Sequence, residues 1–314
     1  MTEILITAPF PDFLMKPLQE GYICHDYYQS PEQAGLLREV GPRIRGLAQG
    51  GRTHTAVELL DQLPNLEVIS VMGVGYDGVP VDYCKKRGIK VGHTPDVLTD
   101  DVADTAVALV LMLSRNFHLA NRFVLSGEFR ARTFPLATSL NGKKVGILGL
   151  GRIGKAIAHR LEAAGMEVSY HNRTPQPVRY SYHPSLLDMA RDVDFLVVAA
   201  PGGPTTKNIV DASVLEALGA KGRIVNIARG SIVDEPAMIR ALKAGTLGGA
   251  GLDVFADEHN IPEELMKMDN VVLLPHVGSA TKETRKRMAA LVLANLAAHF
   301  AGKPLVKSIP ELRQ

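Results

Sequence analysis

Residues 144–161 leave little choice of architecture. Lys144-Val145-Gly146-Ile147-Leu148 is a short apolar run that reads as a buried strand. It enters Gly149-Leu150-Gly151-Arg152-Ile153-Gly154, and the helical Lys155-Ala156-Ile157-Ala158-His159-Arg160-Leu161 follows. Glycines in a G-x-G-x-x-G spacing between strand and helix form a dinucleotide fingerprint. Gly149 permits the tight turn, Gly151 lets pyrophosphate approach the backbone, and Gly154 lets helix and strand pack closely. The helix N-terminus then faces the anion. Gly149, Leu150, Gly151, Arg152, Ile153 and Gly154 are therefore candidate cofactor contacts.

Short β-rich runs alternate with helical patterns along the whole chain, the mark of an α/β fold with parallel sheets. A first series of strands is read at residues 3–8, 22–25, 44–48, 67–71 and 90–92, with helices around 55–63 and 81–87. A second series starts at Lys144 and continues at 167–171, 194–199, 223–227, 249–254 and 271–274. The length of 314 residues suits two domains. The helical pattern 101–115 leaves the first and enters the second. The amphipathic pattern 281–300 stops at Ala301-Gly302-Lys303-Pro304, and the short remainder returns to the first domain. The expectation is two Rossmann-like or flavodoxin-like parallel-sheet domains with a cleft between them. Residues 1–96 and 285–314 make the substrate-binding domain, and residues 97–284 the dinucleotide-binding domain. Residues 119–141 show no simple periodicity and read as an arm toward a second subunit.

Composition closes off other classes. Formal net charge is +2, so no global field draws nucleic acid or an anionic membrane. No apolar stretch is long enough to span a bilayer, and the first residues lack a signal-peptide pattern. Cys24 and Cys84 have no metal-ligand spacing. They suggest reduced thiols in a cytoplasmic protein, with no metal site, no nucleic acid and no membrane.

The strand after the glycine loop reports the nucleotide. An acid at its end would hold the ribose 2′-OH of NAD. Here it ends in His171-Asn172-Arg173-Thr174. Asn172 brings no charge against a 2′-phosphate, and Arg173 and the Thr174 hydroxyl can bind one. NADPH is the expected cofactor, with NAD weaker. Further along, Arg229, Asp253, Glu258 and His276 stand at or just beyond strand ends. With parallel strands they converge on the sheet edge that carries the glycine loop. His276 can move a proton near neutral pH. A base-to-acid pair plus a fixed cation suits reduction of a carbonyl that bears a carboxylate.

Over nearly its whole length the chain resembles the D-isomer-specific 2-hydroxyacid dehydrogenases. The matching pieces are Gly149–Gly154, Asp194-Phe195-Leu196-Val197-Val198-Ala199-Ala200-Pro201, Val225-Asn226-Ile227-Ala228-Arg229-Gly230-Ser231-Ile232-Val233-Asp234, Gly249-Ala250-Gly251-Leu252-Asp253-Val254-Phe255 and Leu274-Pro275-His276-Val277-Gly278. Thr94-Pro95-Asp96-Val97-Leu98-Thr99-Asp100-Asp101-Val102-Ala103-Asp104 looks most like the hydroxyphenylpyruvate, hydroxypyruvate and glyoxylate reductases. That branch commonly prefers NADPH. The resemblance implies that His276 protonates the substrate carbonyl oxygen, that Glu258 orients the imidazole, and that Arg229 binds the substrate's oxygens. It implies that the amides of Val74 and Gly75 hold the substrate carboxylate. It puts Ala200, Pro201, Ile227, Asp253 and Gly278 along the adenosine and nicotinamide, with amide capping a rival role for Asp253. A homodimer is implied too.

The chain departs from the family in places. His259-Asn260 replaces the proline common after the glutamate, Asp104 stands where glutamate is frequent, and tryptophan is absent. Phe134 or Tyr76 would have to replace pocket aromatics. Because fold does not decide function, a second reading stays open: a nucleotide-sensing interaction protein of the corepressor type with little turnover.

Overall fold

The computed structural model describes residues 1–313. The chain divides into two compact units: Met1–Leu98 with the residues from Thr281 onward, and Thr99–Ala280. The crossings lie at Leu98 and Ala280, a few residues from positions 96 and 284 read in the sequence.

The first unit has β1 (Glu3–Ile6), β2 (Ile23–Asp26), β3 (Ile44–Gly50), β4 (Val68–Met72) and β5 (Lys90–Gly92). They form one parallel sheet in the order β2-β1-β3-β4-β5. Chain direction of travel reverses between β1 and β3, a doubly wound switch point. Ile4, Leu5, Ile6, Leu47, Val68 and Ile69 are wholly buried, as expected of parallel strands covered on both faces. The helix Lys282–Phe300 belongs to this unit. Its buried stripe mixes Met288, Val292 and Leu296 with Thr284 and Asn295, so it is less cleanly amphipathic than read. Asn295 offsets its burial by bonding: it donates to the His93 carbonyl at 3.4 Å and accepts from the Lys307 amide at 2.9 Å. The returning C-terminal segment is thereby tied to the end of β5.

The second unit has β6 (Lys144–Leu148), β7 (Glu167–His171), β8 (Ser181–Tyr182), β9 (Phe195–Val198), β10 (Arg223–Asn226), β11 (Gly249–Leu252) and β12 (Val271–Leu273). The order is β12-β11-β10-β9-β6-β7-β8, and every paired strand is parallel. Its switch point lies between β6 and β9, where the glycine loop emerges. β8 was not anticipated, because two residues carry no periodicity. The helix Thr99–Arg115 packs so close to β11 that a Cβ on Gly251 would lie 3.1 Å from Leu109 Cβ, which explains the glycine. Asp104 accepts from Arg160 Nε at 2.6 Å, and Asp100 from Arg160 Nη2 at 3.0 Å. Asp104 thus helps tie this helix to the helix Arg152–Ala163 and needs no chemical role.

Within residues 119–141, where the sequence shows no simple periodicity, the first part is helical and residues 131–141 carry neither helix nor strand. Asn116 takes a left-handed φ of 52°, and helix resumes over Phe117–Leu125 at 64° to its predecessor. Its periodicity is masked because the outward face is apolar, with Val124 and Leu125 59% and 78% exposed. Phe134 stacks edge-on to Phe123 at 5.4 Å. Among the described residues no single helix is long and apolar enough to cross a membrane, and no group of three or more His, Cys, Asp or Glu could hold a metal ion.

Candidate active site

All seven strands of the second unit run the same way, so their carboxyl ends share one edge. That edge presents, strand by strand, the glycine loop, Asn172, Ala200, Ile227 with Arg229, Asp253 and His276. Gly149 has φ +97°, and a Cβ there would lie 2.5 Å from the Ala200 amide nitrogen. A Cβ on Gly154 would lie 2.1 Å from the Gly149 carbonyl oxygen. A Cβ on Gly151 would meet nothing within 4 Å. The loop is therefore closed behind by the sheet and open in front. Gly151 caps the helix Arg152–Ala163 and offers no side chain, so amides of the first turn are left for an anion.

Asn172 is built into this loop. Its Oδ1 accepts the Leu150 amide at 2.7 Å, which directs the Nδ2 donor away from the loop backbone. Arg173 and Thr174 follow it, both exposed. Pro201 is exposed, with its carbonyl accepting from Thr206 Oγ1 at 2.7 Å.

His276 Nδ1 lies 2.6 Å from Glu258 Oε1, and both side chains are about three-quarters buried, at 23% and 24% exposure. The backbone of His276 is left-handed, with φ +56°. Few residue types adopt this conformation, though histidine is among the more tolerant. Asp253 holds the turn in place. Its two oxygens accept the amides of Val277 at 2.7 Å and Gly278 at 2.8 Å, and the residue is 1% exposed. Burial pushes the Asp253 carboxyl above the ordinary carboxylate range, and the Val277 and Gly278 amides pull against that shift.

Arg229 is half-buried, with Nη1 donating to the Ala228 carbonyl at 2.9 Å. Its turn is set by Asn226, 1% exposed, whose Nδ2 donates to the Arg229 carbonyl at 2.8 Å and whose Oδ1 accepts the Ala228 amide at 3.0 Å. Glu235, 8% exposed, accepts the Ala256 amide at 3.0 Å. Asn226 and Glu235 had no assigned role in the sequence reading. Asp234-Glu235-Pro236 looks like an ordinary helix start, and only burial distinguishes it.

Val74 and Gly75 lie in the first unit, in the loop leaving β4. His93 Nδ1 is 3.0 Å from the Val74 carbonyl, and the Thr94 amide donates to the Gly73 carbonyl at 2.8 Å. Tyr76 packs edge-on to His93 at 5.3 Å and bonds Glu311 through its hydroxyl at 2.9 Å. Burial and then that hydrogen bond push the Tyr76 phenol up to about 12.

Residues 107–278 match the NAD binding domain of the D-isomer specific 2-hydroxyacid dehydrogenases. A glyoxylate/hydroxypyruvate reductase of Arabidopsis thaliana is 46% identical over 307 residues, 98% of each chain. A hydroxyphenylpyruvate reductase of Plectranthus scutellarioides is 44% identical over 98% of each. Among solved structures, an NADPH-dependent glyoxylate/hydroxypyruvate reductase of Sinorhizobium meliloti in complex with NADP and malonate superimposes with a TM-score of 0.91. It is 42% identical and covers 98% of this chain and 97% of its own. The strand-end histidine bonded to its glutamate, the arginine turn and the open glycine loop thus stand in a chain that belongs to the D-isomer specific 2-hydroxyacid dehydrogenase family.

Proposed function

We propose that this chain reduces small 2-oxoacids, glyoxylate and hydroxypyruvate foremost, to the D-2-hydroxyacids, with NADPH preferred over NADH. The 2.6 Å bond between His276 and Glu258 carries the reading. It joins a titratable ring to a carboxylate on the edge that holds the nucleotide fingerprint. Likeness to the Sinorhizobium meliloti reductase, a structure with NADP, supports the cofactor and substrate class. The corepressor alternative gains nothing from these relatives.

The second unit is the dinucleotide-binding domain and the first is the substrate-binding domain. Amides of Gly149–Gly154 and the first turn of the following helix hold the pyrophosphate, with Arg173 and Thr174 at the 2′-phosphate. Ala200, Pro201, Ile227 and Gly278 line the adenosine and nicotinamide. NADPH, when bound, supplies hydride to the substrate carbonyl carbon. Glu258 accepts the Nδ1 proton of His276, so the ring presents Nε2 to the carbonyl oxygen and donates a proton there. The Arg229 guanidinium holds the substrate's carboxylate and carbonyl oxygens in its planar fork. The Val74 and Gly75 amides of the first unit are further proposed contacts of the substrate carboxylate. Asp253 accepts one backbone amide on each oxygen, so we assign it to holding the His276 turn, with acceptor capacity left for the nucleotide.

A panel of 2-oxoacids assayed with NADPH, followed by chiral analysis of the products, is expected to give the D enantiomer. An L product, or no turnover across the panel, would overturn the reading.

We further propose a homodimer through residues 117–139. Leu125 and Leu136 are 78% and 100% exposed there, and a groove of about 420 Å³ runs between Phe117 and residues 134–139. Exposed apolar surface concentrated on one segment marks an association face. Light scattering should give twice the chain mass of 33.9 kDa. A monomer mass at assay concentration rejects the dimer. A cytoplasmic setting suits Cys24 and Cys84, unpaired thiols that burial pushes up to about 11.

A further inference from the structure

We infer that Glu235 is a positioning residue for the Glu258–His276 pair; this rests on reading that pair as the proton donor and its partner. Glu235 opens the helix Glu235–Ala244, but it does not cap it. Asp234 does, accepting the Ala237 amide at 2.9 Å. A carboxylate that served only the helix dipole could face water, as the stabilisation there does not need burial. Glu235 is instead 8% exposed, and carboxylates are almost never this buried without a bonding reason.

Its partner shows the reason. Backbone pairing of the sheet ends where the Asp253 amide donates to the Asn226 carbonyl at 3.0 Å. Three residues on, the Ala256 amide donates to Glu235 Oε2 at 3.0 Å. Beyond it the chain closes on itself. Asp257 Oδ1 accepts the His259 amide at 2.9 Å, and Asp257 Oδ2 accepts from Asn260 Nδ2 at 2.7 Å. The turn 257–260 is thus one piece, and the Glu235–Ala256 bond sets where that piece stands. Glu258 is inside it. The same loop touches the arginine turn: a Cβ on Gly230 would lie 2.0 Å from the Phe255 carbonyl. The helix that Glu235 opens follows the Arg229 turn along the chain, so its bond to Ala256 adds a second tie beside the Gly230–Phe255 contact between the two turns.

The test compares Glu235→Ala, Glu235→Gln and Glu258→Gln with wild type. Readouts are kcat, the KM for NADPH, thermal unfolding, and the far-downfield imidazole N–H proton resonance of His276, assigned by its loss in His276→Asn. Misplacement of a catalytic group by about 1 Å can cost on the order of 100-fold, so Glu235→Ala should lose roughly 10–100-fold in kcat. Its KM for NADPH should hold, and the resonance should move upfield or broaden. Glu235→Gln should retain most of the activity and the resonance, because its amide oxygen accepts the same Ala256 amide. If Glu235→Ala does not fold, Glu235→Asp replaces it, with charge kept and reach shortened, and the same spectral change is expected. A wild-type kcat and resonance in the Ala or Asp variant overturns the inference, even with a lower melting temperature. If Glu258→Gln also leaves kcat and resonance unchanged, the pair itself has been misread and the inference falls with it. If Glu258→Gln has its effect and the Glu235 variants do not, the inference alone fails.

Discussion

His276→Ala is expected to lower kcat by about 10²–10⁴-fold, the usual cost of removing a positioned proton donor. The ring is held by Glu258 at 2.6 Å, and its backbone is fixed by Asp253 through Val277 and Gly278. Most of the nucleotide contacts proposed above are on other turns, and Gly278 is held through its own amide by Asp253, so NADPH affinity should hold. Backbone strain complicates alanine here. A left-handed φ of 56° costs an ordinary L residue roughly 1–2 kcal/mol, so part of any loss in melting temperature is conformational. His276→Asn is the cleaner control, because asparagine accepts this region. Both variants should lose kcat alike, while alanine alone should lose stability. Steady-state kinetics with an NADPH fluorescence titration decides it. Retention of about a tenth of kcat in His276→Asn would be far above the range for a lost acid and would remove His276 from the chemistry.

Wild type is expected to prefer NADPH over NADH by on the order of 10–100-fold in kcat/KM, since a charge-assisted hydrogen bond contributes about 1.5–3 kcal/mol. Arg173 is exposed just beyond the end of β7 and is the proposed partner of the 2′-phosphate. Asn172 Oδ1 is committed to the Leu150 amide at 2.7 Å, so its other amide group is the one turned outward. Asn172→Asp with Arg173→Ala should reverse the preference. The new carboxylate keeps an acceptor for Leu150, adds repulsion against the phosphate and offers an acceptor to the NADH ribose hydroxyl. Measuring kcat/KM for both cofactors in both proteins tests this. If wild type prefers NADH, Arg173 is a solvated loop residue and the selector lies elsewhere.

Sheet architecture was legible because buried parallel strands are continuous apolar runs. Phe195–Val198 announces itself in this way, Arg223–Asn226 only through Ile224 and Val225, and the ends of both shift by no more than one residue. Two-residue β8 carries no period. The helix Phe117–Leu125 hid behind its apolar outer face, and the stripe of the helix Lys282–Phe300 was blurred by Thr284 and Asn295, whose burial depends on partners far along the chain. At the candidate site, residue types and strand-end placement were readable for Arg229, Glu258 and His276. Which imidazole nitrogen meets Glu258, the left-handed turn beneath the ring, and the occupation of Asp253 by amides were not. These depend on pairs 18 to 25 residues apart meeting in space.

Asn226, Asp253 and Glu235 share one trait: each grips main chain near the chemical residues, at Arg229, at Val277 and Gly278, and at Ala256. These grips are made to backbone and not to the side chains at positions 229, 258 or 276, although the Asp253 carboxyl feels the charges of His276 and Glu258. Chemistry and scaffold are therefore inherited separately. Point substitution can exchange the proton-handling groups while the nucleotide-binding unit still folds, so loss of catalysis need not end a lineage. A descendant stripped of turnover would keep an intact nucleotide receptor, available for selection to another use.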